Sequence, residues 1–301
     1  MPSIESKLFY HLLRFINKKR FLEMQFTFGR FDFYNCKEPP KEIYKICNVD
    51  KNQFMGRNVF TLCPKKDRVS ASHILYLHGG AYVQNFVKQH WRFLAMLVRE
   101  THCTVTAPDY PLAPEYTYRD AFEMLVPLYQ RLLSKVEQGN SILMGDSAGG
   151  GLALALAQKL KVERLPPPQS LILLSPWLDI ALNNPEIKAI DRFDPFLSVK
   201  GLRKAGLAYA GQSNIDGHML SPINGPLEQV GDISVFIGSR DLLVADARKL
   251  KVLGAKKGIA INYREYKDMV HVWMFLGFPE AKLAQKEIFN LIIDKDNARS
   301  S

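Results

Sequence analysis

Apolar positions near the start of the chain fall at helical spacing. Leu8, Leu12, Phe15 and Ile16 stand at i, i+4, i+7 and i+8, with Arg14 and Lys18 turned away. Such a stripe predicts a helix packed on its own protein, and its basic flank leaves a membrane-surface helix as the other reading. From 29 to 40 the pattern is irregular and aromatic. Residues 58–62 and 74–77 then read as strands either side of a polar turn at 65–72. Beyond them strand and helix alternate. Strands are predicted at 104–107, 141–144, 171–174, 234–237 and 261–266, and helices at 118–135, 152–160, 245–256 and 280–293. That alternation implies a mostly parallel sheet covered by helices on both faces, with the loops that follow the strands gathered along one edge. The stretch 180–225 breaks the rhythm: it holds Pro185, Pro195 and Pro222, several short amphipathic pieces and no strand. An insertion of that size between strands reads as a lid or cap. The triple proline at 166–168 closes one helix and starts the approach to the next strand.

Composition narrows this picture. The 301 residues are 47% hydrophobic, 11% aromatic and 23% charged, which excludes disordered, collagen-like and coiled-coil chains. No apolar run reaches the roughly 18 residues of a membrane span, and Met1-Pro2-Ser3-Ile4-Glu5 lacks the layout of a signal peptide. Cys36, Cys47, Cys63 and Cys103 show no metal-like spacing and are expected to be reduced structural thiols in a cytoplasmic protein. Neither a metal nor an organic cofactor is expected. The net charge of +10 raises nucleic acid as a partner, but residues 1–70 alone hold 14 Lys/Arg against 7 Asp/Glu, and no nucleic-acid-binding motif accompanies them. The excess therefore reads as a solvated basic face, with no nucleic-acid and no membrane partner expected; a homodimer is left open.

Candidate chemistry lies at the ends of the predicted strands. Gly145-Asp146-Ser147-Ala148-Gly149 fits G-x-S-x-G, where a serine sits on a sharp strand-to-helix turn and flanking side chains would strike neighbouring backbone. The pattern alone is weak, but a strand precedes it and a helix follows. His78-Gly79-Gly80-Ala81 follows the strand at 74–77 and supplies bare backbone for a developing oxyanion, with Gly80, Ala81 and Ala148 as the candidate N–H donors. A serine needs a base and the base an orienting acid, and behind a G-x-S-x-G turn these are expected in the order acid, then histidine. After Ser147 the histidines are His218 and His271; His271 falls just past the last strand, while His218 lies in the cap-like segment. Asp241 follows the strand at 234–237. Its competitors are Asp246, with a structural explanation at a helix start, and Asp268, which shares the loop of His271.

Taken together, His78–Ala81, the Asp109-Tyr110-Pro111-Leu112-Ala113-Pro114-Glu115 run, residues 145–150, Ser175-Pro176-Trp177-Leu178-Asp179, Asp241 and His271-Val272-Trp273 resemble the hormone-sensitive-lipase-like branch of the α/β-hydrolase fold, a family of small serine carboxylesterases. The resemblance implies Ser147 as nucleophile with Asp241 and His271 as partners, and structural roles for Asp109, Glu115 and Asp179. It also implies a cap built from residues 1–50 and 181–225 on a core of 51–180 and 226–296, with 297–301 a disordered tail. Ala81 stands where the family usually has a third glycine, so the oxyanion site is expected to survive but to be slightly narrower. The substrate expected is a small short-acyl ester. An amidase or deacetylase acting on an acylated metabolite, a non-catalytic ligand-binding relative and a membrane-surface lipase stay as alternatives.

Overall fold

The computed structural model describes residues 2–65, 70–134, 136 and 139–300, with the backbone alone for 296 and 298–300. Among the described residues eight strands form one sheet: β1 (Asn48–Phe54), β2 (Arg57–Cys63), β3 (His73–Leu77), β4 (Thr104–Pro108), β5 (Ser141–Asp146), β6 (Ser170–Leu174), β7 (Asp232–Gly238) and β8 (Ile261–Tyr266). Their spatial order is β1-β2-β4-β3-β5-β6-β7-β8. β1 and β2 pair antiparallel with each other, and β2 with β4; the rest of the sheet is parallel. The helices are α1 (Ile4–Phe15), α2 (Phe21–Phe28), α3 (Ile43–Ile46), α4 (Lys88–Thr101), α5 (Tyr118–Leu133), α6 (Ala148–Val162), α7 (Ile187–Ile190), α8 (Val199–Ala210), α9 (Val244–Lys256) and α10 (Pro279–Ser300).

Side-chain alternation splits the sheet between two cores. Leu75, Leu77, Leu143, Leu171, Leu173 and Val235 pack with α5, α6 and α9. Their strand neighbours Ile74, Tyr76, Ile142, Met144, Ile172 and Phe236 pack with α4 and α10 on the other side. The inner strands β3, β5, β6 and β7 are therefore apolar at most positions, which is why they read as short continuous runs in the sequence, whereas the edge strand β8 mixes polar and apolar residues.

Several expectations need correction. The stripe Leu8, Leu12, Phe15, Ile16 does lie on a helix and the residue after it, but it faces solvent; α1 buries Ser6, Tyr10 and Leu13 instead. β1 went unforeseen because Asn48–Phe54 is polar and almost wholly exposed, as an edge strand can be, so the boundary at residue 51 cuts through it. The helix after the elbow starts at Ala148 rather than 152, its first turn disguised by Gly149, Gly150 and Gly151. The last helix runs to Ser300, through most of the stretch 297–301 expected to be disordered. Of the polar turn at 65–72, residues 66–69 lie outside the described residues, as does residue 135 at the end of the helix predicted at 118–135. Between β6 and β7 the chain is strand-free, as expected, and forms α7, α8 and a short 3₁₀ turn at Pro222–Asn224.

Cys47 and Cys103 are buried, and Cys36 and Cys63 half-buried. Burial pushes the thiols of Cys36 and Cys63 upward and that of Cys47 to about 11.

Candidate active site

The turn after β5 is built around Ser147, which holds φ 52° and ψ −120°. Its backbone is fixed on every side: the Ser147 N–H donates to Leu174 O at 2.8 Å, and its carbonyl accepts from Gly151 N at 3.1 Å and Trp177 N at 2.8 Å. A Cβ on Gly149 would overlap the carbonyls of Leu77 and His78, so only glycine lets the elbow sit against the end of β3. The left-handed Ser147 is thus over-determined by its surroundings.

Three strand ends bring the expected side chains together. Ser147 follows β5, Asp241 follows β7 and His271 follows β8, and all three are buried. His271 Nε2 lies 2.9 Å from Ser147 Oγ, and His271 Nδ1 lies 2.8 Å from Asp241 Oδ2. The carboxylate at Nδ1 fixes the proton there, leaving the Nε2 lone pair to accept from the serine hydroxyl. Burial works to lower the His271 pKa, but the charge and hydrogen bond of Asp241, with Asp194 and Asp146 farther off, raise it above its ordinary 6.5. The other Asp241 oxygen accepts from Leu243 N at 2.9 Å. The competitors lie elsewhere. Asp246, in the first turn of α9, accepts from Asn184 at 3.0 Å; Asp268 pairs with Arg240 at 2.9 Å; His218 sits half-buried in the cap segment.

The loop after β3 carries the candidate donors. Gly80, Ala81 and Tyr82 all take positive φ, 116°, 53° and 62°, and among the described residues no protein acceptor takes the N–H of Ala81 or Ala148. Ala148 opens α6, where the first N–H groups have no helical partner. The loop is tied to the elbow by Asp146, whose Oδ1 accepts from Gly79 N at 2.8 Å and from the Tyr76 hydroxyl at 2.6 Å. His90 on α4 reaches the other Asp146 oxygen at 3.3 Å; its Nδ1 accepts from Val87 N, so its Nε2 carries the proton. His78 donates from Nδ1 to Gly79 O at 2.7 Å and stacks on Tyr110. Burial, and then the neighbouring His90, pushes its pKa down to about 3, so it stays neutral.

Asp109 binds Arg57 at 3.2 Å, and both Asp179 oxygens accept backbone N–H groups, from Ala181 and Asn183. Glu115 is exposed and does not join them; it lines, with Phe31, Phe33, Arg57 and Tyr116, a cleft of about 710 Å³ that does not include Ser147.

Sequence reasoning missed Tyr76 and His90 behind the loop, and two residues of the cap segment. Asp194 accepts from Phe196 and Leu197 N–H on Oδ1 and from Leu242 N–H on Oδ2, pinning the loop that bears Asp241. Phe196 sets its ring 5.5 Å from that of His271. The cap also grips the β3 loop: Tyr82 stacks flat on Tyr209 of α8 at 3.8 Å. α2 packs on α8, with Glu23 meeting Ser198 at its start, and Lys19 in the turn before α2 pairs with Asp191 at the end of α7 at 2.7 Å.

The model of the family described as alpha/beta hydrolase fold matches residues 74–275. The chain is 30% identical to an esterase of Acinetobacter venetianus over 229 residues, 74% of this chain and 75% of that one. It is 31% identical to an acetyl-hydrolase of Streptomyces hygroscopicus, over 66% of this chain and 67% of the relative. Among solved structures, the hormone-sensitive-lipase homologue EstE7 from a metagenome library aligns with a TM-score of 0.84 at 25% identity, covering 98% of this chain and 100% of that one. The chain belongs to the alpha/beta hydrolase fold family, in its hormone-sensitive-lipase-like branch.

Proposed function

We propose that the protein is a serine carboxylesterase acting on small, short-acyl esters, with Ser147 as nucleophile, His271 as base and Asp241 as its orienting acid. The observation that carries this reading is the unbroken hydrogen-bonded series Ser147 Oγ, His271, Asp241 at the elbow. The names of the relatives, an esterase and an acetyl-hydrolase, support the ester and the short acyl group. His271 Nε2 takes the Ser147 proton as Oγ attacks the ester carbonyl, and Asp241 stabilises the imidazolium that forms. The N–H groups of Gly80, Ala81 and Ala148 receive the oxyanion, each worth about 3 kcal/mol of transition-state stabilisation. The imidazolium returns its proton to the departing alkoxide, releasing the alcohol. Water then gives a proton to His271 and attacks the acyl-enzyme, and the acid leaves as Ser147 regains its proton. Side chains and backbone handle every proton and charge in this cycle.

The test is hydrolysis of p-nitrophenyl esters from acetyl to palmitoyl, beside Ser147→Ala. The expected result is fastest turnover of the short esters and a drop of at least about a thousandfold in the variant. Activity surviving in Ser147→Ala overturns the mechanism, and folded protein that cleaves amides but no ester overturns the substrate class.

A further inference from the structure

The apolar side of α1 points the wrong way for a helix of a closed globule. At about 100° per residue, Ser6, Tyr10 and Leu13 form one face and Ile4, Leu8, Leu12 and Phe15 the nearly opposite one. The first face is anchored: Ser3 bonds Glu280 at 2.8 Å, Phe9 meets Phe278, and Tyr10 lies 4.3 Å beneath the guanidinium of Arg240. The second is bare, with Phe15 89%, Ile4 73%, Leu8 65%, Ile16 55% and Leu12 52% exposed. Phe28, on the neighbouring α2, is exposed as well. Solvent-facing side chains this large, in one row, form the kind of patch that marks an interaction surface.

Charge selects what covers it. Residues 1–20 carry five Lys/Arg against one acidic residue, Glu5. Lys7 and His11 run along one border of the apolar row, Arg14 beyond them bonds back to the Tyr10 hydroxyl at 3.1 Å, and the exposed Arg20 follows the helix. A second copy of this chain seated by a two-fold axis would bring these same cations face to face. An anionic lipid surface instead offers apolar depth to the row and phosphates to its border, and an amphipathic helix with a basic edge is the shape that lies in such an interface. No helix among the described residues is long and apolar enough to span a membrane, so the contact is one of lying on it. Arg240, held by Tyr10, immediately precedes Asp241, so the anchored face of α1 rests beside the loop that carries Asp241 and the apolar row faces away from it.

We propose that α1 docks the protein on anionic bilayers, inserting Leu8, Leu12 and Phe15 with Lys7 and Arg20 at the phosphates. This rests on the exposed face alone and stands whether or not the esterase reading does.

Sedimentation of the full chain with phosphatidylcholine vesicles, with and without phosphatidylglycerol, tests it. The expected result is binding at least about tenfold stronger to the anionic vesicles, weakening as salt is raised. Phe15→Glu and Leu12→Glu should each weaken it by about tenfold or more, and Lys7→Gln by about fivefold. All three positions are exposed, so melting temperatures should stay at the wild-type value. Equal binding to both vesicle types, or wild-type binding by both Glu variants, overturns the proposal. So does a dimer in light scattering that Phe15→Glu abolishes, which would seat a second copy on the face.

Discussion

Asp194 is a second buried carboxyl close to the candidate triad, reached from the cap rather than the core. Burial and the charge of Asp241 raise its pKa, and the three backbone N–H groups it accepts offset only part of that cost. It does two separable things: it pins the Asp241 loop through Leu242, and its charge helps hold His271 above its ordinary pKa. His271 acts as a base only when neutral, so the rate should fall as pH drops through an inflection above 6.5. Asp194→Asn removes one of the negative charges that favour the imidazolium and should move that inflection to lower pH in a kcat/KM profile. It also leaves Leu242 N–H facing an amide donor, at a cost of about 1–3 kcal/mol in a denaturant melt. A purely structural Asp194 would lower the melt and leave the inflection in place. Nothing local in the sequence marks this residue, a lone Asp-Pro in a proline-rich insertion whose partner stands 48 positions away. Ser147, Asp241 and His271 were legible for the opposite reason: each ends a strand, and parallel topology carries strand ends to one edge.

At the scale of elements, α8 is the part that joins cap to core. It approaches closely because two of its positions are glycine: a Cβ on Gly201 would press on Leu22 of α2, and one on Gly206 on the carbonyl of Ile180. The same glycines weaken its helical pattern, which is why the insertion reads only as short amphipathic pieces. Its grip on the β3 loop is the Tyr82–Tyr209 stack, directly beside Ala81. Tyr209 is fully enclosed and its hydroxyl meets no partner among the described residues. Tyr209→Phe should therefore hold or slightly raise the melting temperature, since it removes an unsatisfied buried hydroxyl. Tyr209→Ala should cost about 3–5 kcal/mol and lower kcat, because the loop bearing the candidate oxyanion donors loses its backing. Equal melts for the two variants would show that the stack contributes nothing. Ala81 and Tyr82 in left-handed backbone are the local strain that this backing holds.

For the molecule as a whole, alternation of strand and helix was enough to give a parallel sheet between two helical layers, because each run of four or five apolar residues had to be buried on both sides. The direction of α1 was not legible, since an amphipathic pattern says that a helix has two faces and not which of them meets the protein. β1 was invisible because an edge strand needs little apolar content to pair.

The placement of the four thiols has a further consequence for covalent probes. Cys47 stands just before β1 and Cys63 ends β2, at one edge of the sheet with β4 and β3 between them and β5, and burial keeps them, like Cys36, poor thiolates. Soft alkylating reagents and hard phosphylating ones should thus separate cleanly on this one chain. Iodoacetamide at neutral pH is expected to leave ester turnover unchanged, while a fluorophosphonate should stop it with a single adduct, located by peptide mass spectrometry on the segment that contains Ser147.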